Sequence, residues 1–232
     1  MLDFHVLTIF PDMFESPFSS GLISKAADNR LLKINCHDIR KYSTDSHKTV
    51  DDYPFGGGPG MVMKPEPIFL AVEDLQASNK IGDNSRIIVM SPQGRMFDKN
   101  IAKELTRYDE LVLICGRYEG IDDRVVQNLA DEELSIGNYI LNGGELPAMV
   151  VIDAVSRLLP GVVGSEQSIL EDSLSENLLK YPQYTRPRSF KGLDVPDVLL
   201  SGNHKIIEEW RKEKSIEKTN AKRPDLIPDK DV

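Results

Sequence analysis

Three glycine-rich segments of the sequence, at residues 91–95, 115–120 and 134–147, could form a binding pocket. The first two directly follow aliphatic runs that are typical of buried strands, and the third leads into an apolar helical segment. In an open α/β sheet, ligands bind beyond the carboxyl ends of the strands, where glycines let backbone groups approach a ligand closely. Any one segment could be an ordinary strand–helix turn, whereas the three together favour a pocket for a nucleoside-type ligand.

A fourth glycine-rich segment covers residues 53–61 and reads Tyr-Pro-Phe-Gly-Gly-Gly-Pro-Gly-Met. Its glycines resemble those of a phosphate-binding loop. The Lys and Ser or Thr that complete such a loop do not follow them. We interpret the segment either as a mobile loop over a binding site or as a flexible surface loop.

Several common catalytic and binding motifs are absent from the sequence. It has neither the glycine fingerprints of Rossmann and P-loop nucleotide-binding proteins nor the Gly-x-Ser-x-Gly turn of serine hydrolases. Its four histidines show no metal-ligand spacing. Cys36 and Cys115 are too few for a disulfide framework and are not spaced as a metal-binding pair. The sequence therefore indicates no metal ligands.

The composition is that of an ordinary globular chain of 232 residues, 40% hydrophobic and 28% charged. This length allows one large domain, or a medium domain with a small one. The net charge of −9 is concentrated before residue 172, which argues against a protein that coats nucleic acid and hints at two parts with different tasks. No apolar run approaches the roughly 18 residues of a membrane span, and the N-terminus lacks signal-peptide features, so we expect a cytoplasmic location.

The first two thirds of the chain alternate strand-like and helix-like segments. Strands are predicted over residues 4–10, 32–39, 86–91 and 111–115, and helices over residues 65–77, 99–108, 122–129 and 146–159. This alternation predicts an α/β domain over residues 1–160, with a mostly parallel sheet covered on both faces. Residues 161–171 are interpreted as a flexible linker. Residues 172–232, with a charged helix predicted over 204–218, are interpreted as a small, mainly α-helical domain.

Five segments, taken in order, resemble the motifs of one family. Residues 53–61, 91–94, 115–120, 135–147 and 184–187 are together similar to the TrmD family, the bacterial tRNA (guanine-N1)-methyltransferases of the SPOUT class. The resemblance implies that residues 1–160 form a SPOUT domain with a deep trefoil knot that binds S-adenosylmethionine. It further implies methylation of N1 of guanosine 37 in tRNA, recognition of the anticodon arm, a homodimer, and a dependence on Mg²⁺ without assigned ligands.

The resemblance also assigns binding residues. The residues that would bind the methyl donor are Pro92, Gly94, Gly116, Tyr118, Glu119, Gly120, Ser135, Ile136, Gly137, Asn138, Tyr139, Ile140, Leu141, Gly143, Gly144 and Pro147. The residues that would bind RNA are Gly57, Gly58, Gly60, Tyr184, Arg186 and Arg188. Independently, residues 180–191 combine basic and aromatic side chains with no acid between them. Such a segment suits RNA, or a loop packed on the C-terminal helix.

Methyl transfer to N1 requires a general base for the N1 proton and a cation for the charge that develops on O6. The resemblance places Asp172 and Arg157 in these two roles. Taken alone, Asp172 would be interpreted as a linker acid or helix N-cap, and Arg157 as a cation at a helix C-terminus. Glu171 is a neighbouring candidate for the base. Two other functions stay open: a SPOUT methyltransferase that acts on another RNA site, and a non-catalytic nucleotide-binding module.

Overall fold

The computed structural model describes residues 1–164, 174 and 177–227. Backbone contacts divide the chain into two compact units, Met1–Gly164 and Ser165–Val232. The first unit contains a five-stranded sheet, and the second contains a hairpin and a long helix. Within the described residues, no helix has both the length and the apolar character needed to cross a bilayer. The assignment of residues 1–160 to the methyl donor and 172–232 to tRNA stays a prediction.

The centre of the first unit is a parallel sheet. Its strands are β1 (Leu2–Thr8), β2 (Leu32–Asp38), β5 (Ser85–Met96), β6 (Glu110–Cys115) and β7 (Glu132–Ser135). They lie in the order β2-β1-β6-β5-β7, and every neighbouring pair is parallel. Two short strands, β3 (Asp51–Asp52) and β4 (Val62–Met63), pair separately and antiparallel. The prediction of an α/β fold with a mostly parallel sheet is confirmed.

Helices cover both faces of this sheet. They are α1 (Glu15–Phe18), α2 (Gly21–Asp28), α3 (Pro65–Ala77), α4 (Lys99–Leu105), α5 (Asp123–Asn128) and α6 (Glu145–Arg157). Alternate residues of β6 enter two cores: Leu111 and Leu113 pack with residues of α2, α4 and α6, while Val112 and Ile114 pack with residues of α3 and α5. Because both faces are covered, β6 is an uninterrupted aliphatic run.

The helix boundaries follow local signals in the sequence. Helix α3 has its predicted bounds and begins at Pro65, whose fixed φ suits a first turn. The Asp98 carboxylate accepts hydrogen bonds from the N–H groups of Asn100 and Ile101, so it caps α4. Helix α4 ends at Leu105, three residues before its prediction. Helix α6 begins one residue earlier than predicted and ends two residues earlier.

Strand β5 differs from its prediction. The sequence predicts a strand that ends at residue 91 and a glycine-rich loop after it, but β5 continues to Met96. Its pairing with β7 shifts register between Met90 and Arg95, which both pair with Leu134. The predicted end of the strand is therefore wrong: residues 91–94 bulge out of the ladder and the strand then resumes beside β7. The strand can resume there because Gly94 lies directly on the β7 backbone.

The described part of the second unit contains one α-helix, α7 (His204–Lys222), and a two-residue hairpin of β8 (Ser189–Phe190) and β9 (Leu193–Asp194). The hairpin has no counterpart among the predicted elements. The segment before it is attached to α7, since the Leu179 N–H donates to Thr219 Oγ1 and the Lys218 ammonium donates to the Lys180 carbonyl. The Arg211 guanidinium lies 4.8 Å from the centre of the Tyr181 ring. Part of the basic, aromatic segment therefore packs on the C-terminal helix.

Candidate functional site

A cleft of about 460 Å³ lies at the carboxyl ends of β5, β6 and β7, within the first unit. Its volume is in the range of pockets that bind small molecules. Most residues predicted to bind the methyl donor line this one cleft: Pro92, Gly116, Tyr118, Glu119, Gly120, Ser135, Ile136, Gly137, Tyr139, Ile140, Leu141, Gly143, Gly144 and Pro147. The three glycine-rich segments, which are distant in the chain, thus meet at one edge of the sheet, as parallel strands require.

Two of the predicted donor residues, Gly94 and Asn138, do not belong to the lining of this cleft within the described part of the chain. Gly94 lies beside the cleft, where β5 contacts the β7 backbone. A Cβ atom on it would lie 2.4 Å from the Glu133 carbonyl carbon, so only glycine lets β5 and β7 approach this closely. Gly144 plays a similar part, because a Cβ there would lie 2.8 Å from Cys115 Cα.

Of the charged residues in the cleft lining, only Glu119 was predicted from the sequence. Asp123, Glu133 and Arg117 also line the cleft. Arg117 lies within the glycine-rich segment 115–120, so its place in the sequence could have indicated that it lines the cleft. The described lining residues thus include three acidic residues and one arginine, a balance that favours a ligand with positive charge.

Tyr118 has an unusual backbone conformation at the wall of the cleft. Its φ of +61° lies in the left-handed region, which residues other than glycine and asparagine rarely adopt. Its ring is about half exposed. Strained residues of this kind cluster at ligand sites, where the surrounding structure imposes the conformation. Tyr118 is one of the residues that line the cleft.

The glycine-rich segment over residues 53–61 is attached to the same cleft at one end. The Glu119 N–H donates to the Met61 carbonyl at 2.9 Å, and the Met63 N–H donates to the Gly120 carbonyl at 2.9 Å. At the other end, the side chains of Tyr53 and Phe55 are largely exposed. The segment therefore extends from a fixed base on the 115–120 segment to an exposed tip.

Cys115 lies at the end of β6, directly before the cleft. Burial raises the pKa of its thiol well above the usual value, and the nearby charge of Glu145 raises it further. The group therefore stays a neutral thiol near neutral pH. A buried thiol of this kind is a packing residue and not a nucleophile.

The structure describes only one of the two predicted catalytic residues. Arg157 is the last residue of α6 and is half-buried. Asp172 and its competitor Glu171 lie outside the described residues. Within the described residues, no three His, Cys, Asp or Glu side chains lie close enough together to hold a metal ion, so no ligand is assigned to Mg²⁺.

The predicted RNA-binding residues are all exposed, and each unit carries some of them. Gly57, Gly58 and Gly60 belong to the 53–61 segment of the first unit. Tyr184, Arg186 and Arg188 precede the hairpin of the second unit. Arg188 forms an ion pair of 3.1 Å with Asp197, in which both side chains are exposed. Such a pair contributes little to stability, so it leaves the guanidinium available to a phosphate.

Comparison with known proteins gives consistent matches over almost the whole chain. Residues 2–229 match the family model described as tRNA (Guanine-1)-methyltransferase TrmD. A tRNA (guanine-N(1)-)-methyltransferase of Moorella thermoacetica is 55% identical over 96% of this chain and 88% of its own length. Proteins of the same name from Dictyoglomus turgidum and Staphylococcus carnosus are each 51% identical, over 98% and 95% of this chain and 90% and 89% of their own lengths. The chain therefore belongs to the TrmD family of tRNA (guanine-1)-methyltransferases.

Proposed function

We propose that this protein transfers the methyl group of S-adenosylmethionine to N1 of guanosine 37 in tRNA. The observation that carries the proposal is the cleft in which the three glycine-rich segments meet, in a chain that belongs to the TrmD family. The family supplies the reaction, and the cleft supplies a place for the donor.

The chemistry of the cleft fits this donor. S-adenosylmethionine carries a sulfonium and an ammonium group, and the acidic residues Glu119, Asp123 and Glu133 line the cleft. The segment from Ser135 to Leu141 offers backbone N–H and C=O groups beside apolar side chains, which suits a flat adenine with polar edges. We infer that the adenine binds along this segment and the methionine end near the carboxylates.

The proposed reaction needs a base and a cation from the protein. Asp172 takes the N1 proton of guanine, and Arg157 stabilises the negative charge that then develops on O6. The N1–methyl bond forms as the sulfur–methyl bond breaks, and the electron pair of the broken bond stays on sulfur, which becomes a thioether. Both roles are carried over from the family resemblance.

Further properties are proposed from the family resemblance. We propose that the first unit contains a deep trefoil knot. We propose a homodimer, supported by the exposed apolar side chains of Leu146 and Val150 on α6. We propose that the anticodon arm binds to the exposed cations Arg186 and Arg188 and to the 53–61 segment.

Mass spectrometry of tRNA after incubation with the protein and labelled S-adenosylmethionine tests the proposal. Label in 1-methylguanosine at position 37 is the expected result. Label in another nucleoside would favour a SPOUT methyltransferase with a different RNA site. Donor binding without any labelled RNA would favour a non-catalytic nucleotide-binding module.

The role of Asp172 has its own test. Asp172→Asn keeps the shape of the side chain but removes its basicity, so the single-turnover rate should fall by roughly 10²–10⁴-fold while donor affinity hardly changes. An N-cap role predicts a nearly silent substitution, because Asn caps helices about as well as Asp. Glu171→Gln is the matched control. A normal rate for Asp172→Asn, or an equal loss in Glu171→Gln, would move the base elsewhere.

A further inference from the structure

We infer that Glu145 is a positioning residue which, with Thr8 and Arg117, holds two walls of the donor cleft at a fixed separation. The inference rests on the proposed function, because it concerns the binding of S-adenosylmethionine in that cleft. It starts from a carboxylate that is fully buried at the first residue of α6. A buried charge is costly unless it is paired and hydrogen-bonded, so its partners indicate its role.

Both oxygens of this carboxylate have a partner from a different part of the sheet. The Thr8 hydroxyl at the end of β1 donates to Glu145 Oε1 at 2.8 Å. The Arg117 Nε–H, just after β6, donates to Glu145 Oε2 at 2.9 Å. Thr8 Oγ1 itself accepts from the Phe10 N–H at 2.9 Å, which orients the hydroxyl proton toward Glu145. Glu145 therefore connects β1, β6 and α6 at the edge where the cleft opens.

The Arg117 side chain is held on its other sides as well. Its guanidinium carbon lies 4.6 Å from the centre of the Phe10 ring, and its Nη2 lies 3.4 Å from Met13 Sδ. The guanidinium is thus stacked on an aromatic ring while its Nε donates to the carboxylate, an arrangement suited to the planar, multidentate arginine side chain. The side chain is fixed and cannot swing freely into the cleft.

The ion pair passes directly over Gly143. A Cβ atom on Gly143 would lie 2.2 Å from Arg117 Nε and 2.6 Å from Glu145 Oε2. The backbones on either side are also joined, through a bridge between Arg117 and Gly143 and a hydrogen bond of 2.9 Å from the Gly144 N–H to the Gly116 carbonyl. Gly143 is therefore glycine because the ion pair occupies the space of a side chain.

The connected segments are two walls of the cleft. Gly116 and Arg117 belong to the segment after β6, and Gly143 and Gly144 belong to the segment before α6; all four line the cleft. A buried ion pair is often no more stabilising than apolar side chains of the same volume. Its specific contribution here is geometric. Oε2 joins the start of α6 to the segment after β6, and Oε1 holds the same carboxylate against Thr8 at the end of β1.

Glu145→Gln tests this inference in the full-length protein. The amide keeps the size of the side chain but removes the charge that Arg117 pairs with. We expect the dissociation constant for S-adenosylmethionine, measured by calorimetry on folded protein, to rise about tenfold or more. A role in stability alone would lower the unfolding midpoint and leave this constant unchanged.

Glu132→Gln is the matched control. Glu132 pairs with Arg86 Nε at 3.0 Å in the same sheet, and its side chain is only 12% exposed, but neither residue lines the cleft. The control removes the same charge from a similar pair, so donor affinity should stay within twofold of wild type. An equal loss of affinity in both variants would overturn the inference, because the effect would not be specific to the pair at the cleft.

A second pair of variants decides the matter if Glu145→Gln does not fold. Thr8→Val removes one hydrogen bond to the carboxylate at constant shape, and Thr8→Ser restores the hydroxyl. We expect donor affinity to fall several-fold in the first variant and to return in the second. Folded Glu145→Gln or Thr8→Val that binds S-adenosylmethionine within twofold of wild type would overturn the inference. Failure of the wild-type protein to bind it would instead overturn the proposed function.

Discussion

Replacing Gly94 by alanine tests how closely β5 and β7 must approach behind the cleft. A Cβ atom at Gly94 would lie 2.4 Å from the Glu133 carbonyl carbon, and 2.5 Å from both the Glu133 oxygen and the Leu134 nitrogen. All three are backbone atoms, which cannot rotate away as the end of a side chain can. Ordinary contact begins at 3.4 Å, so the two strands must separate by about 1 Å to admit a methyl group.

Two effects of Gly94→Ala follow from this displacement. Overpacking of this kind usually lowers the free energy of unfolding by about 1–3 kcal/mol. Pro92 and Ser135 line the cleft from β5 and β7, so the separation also moves its walls apart. A misplacement of about 1 Å can cost about 100-fold in rate, and we expect a decrease approaching that size. Urea unfolding and single-turnover methylation of tRNA measure the two effects.

Gly82→Ala is the control for this substitution. Gly82 lies shortly before β5, and a Cβ atom there would meet nothing within 4 Å. We expect its free energy of unfolding to stay within about 0.5 kcal/mol of wild type, and its methylation rate to be unchanged. If Gly94→Ala shows the unfolding midpoint and the rate of wild type, the two strands are not held at the described distance and the reasoning is refuted.

Two further predictions concern stability and RNA binding. Burial lowers the pKa of His5 and of His37 to about 4, and their ring nitrogens lie 3.0 Å apart. The unfolded chain binds these protons from about pH 6.5 downward, so the free energy of unfolding should fall as the pH drops from about 6.5 to 4. The decrease is at most about 1.4 kcal/mol per pH unit for each histidine. Urea titrations of His37→Gln should show a flatter dependence of this free energy on pH. Replacing Arg186 and Arg188 together by glutamine should weaken tRNA binding. The slope of log K against log salt concentration should decrease by roughly 0.7–0.9 for each phosphate that is no longer neutralised, while donor affinity serves as the control. An unchanged slope would assign the segment to packing alone.

The sequence predicts those parts of the fold that depend on local patterns. Helix α3 has its predicted bounds because its apolar residues recur at helical spacing and Pro65 marks its first turn. The cleft could be located because glycines that follow parallel strands must gather at one edge of the sheet. The return of β5 to β7 could not be predicted, because it depends on the contact of Gly94 with a strand that lies far along the chain.

The same limit applies to the charged residues of the cleft. Arg117 and Glu145 are 28 residues apart, and their contact exists only because α6 begins at the edge of the sheet where β6 ends. No periodicity relates two such positions. Tyr118 is similar, since its positive φ is imposed by the surrounding fold and is not a preference of tyrosine. Contacts of this kind become visible only when the strand order is known.

The glycines of the cleft wall have a consequence for inhibitors. A compound bound beside Gly116, Gly137, Gly143 and Gly144 packs against positions that have no side chain to remove. Resistance would then require a new side chain that blocks the compound. At Gly143 such a side chain collides with Arg117, and at Gly144 it meets backbone atoms of β6. Mutations that exclude the compound at these positions would therefore also damage the enzyme, which restricts the routes to resistance.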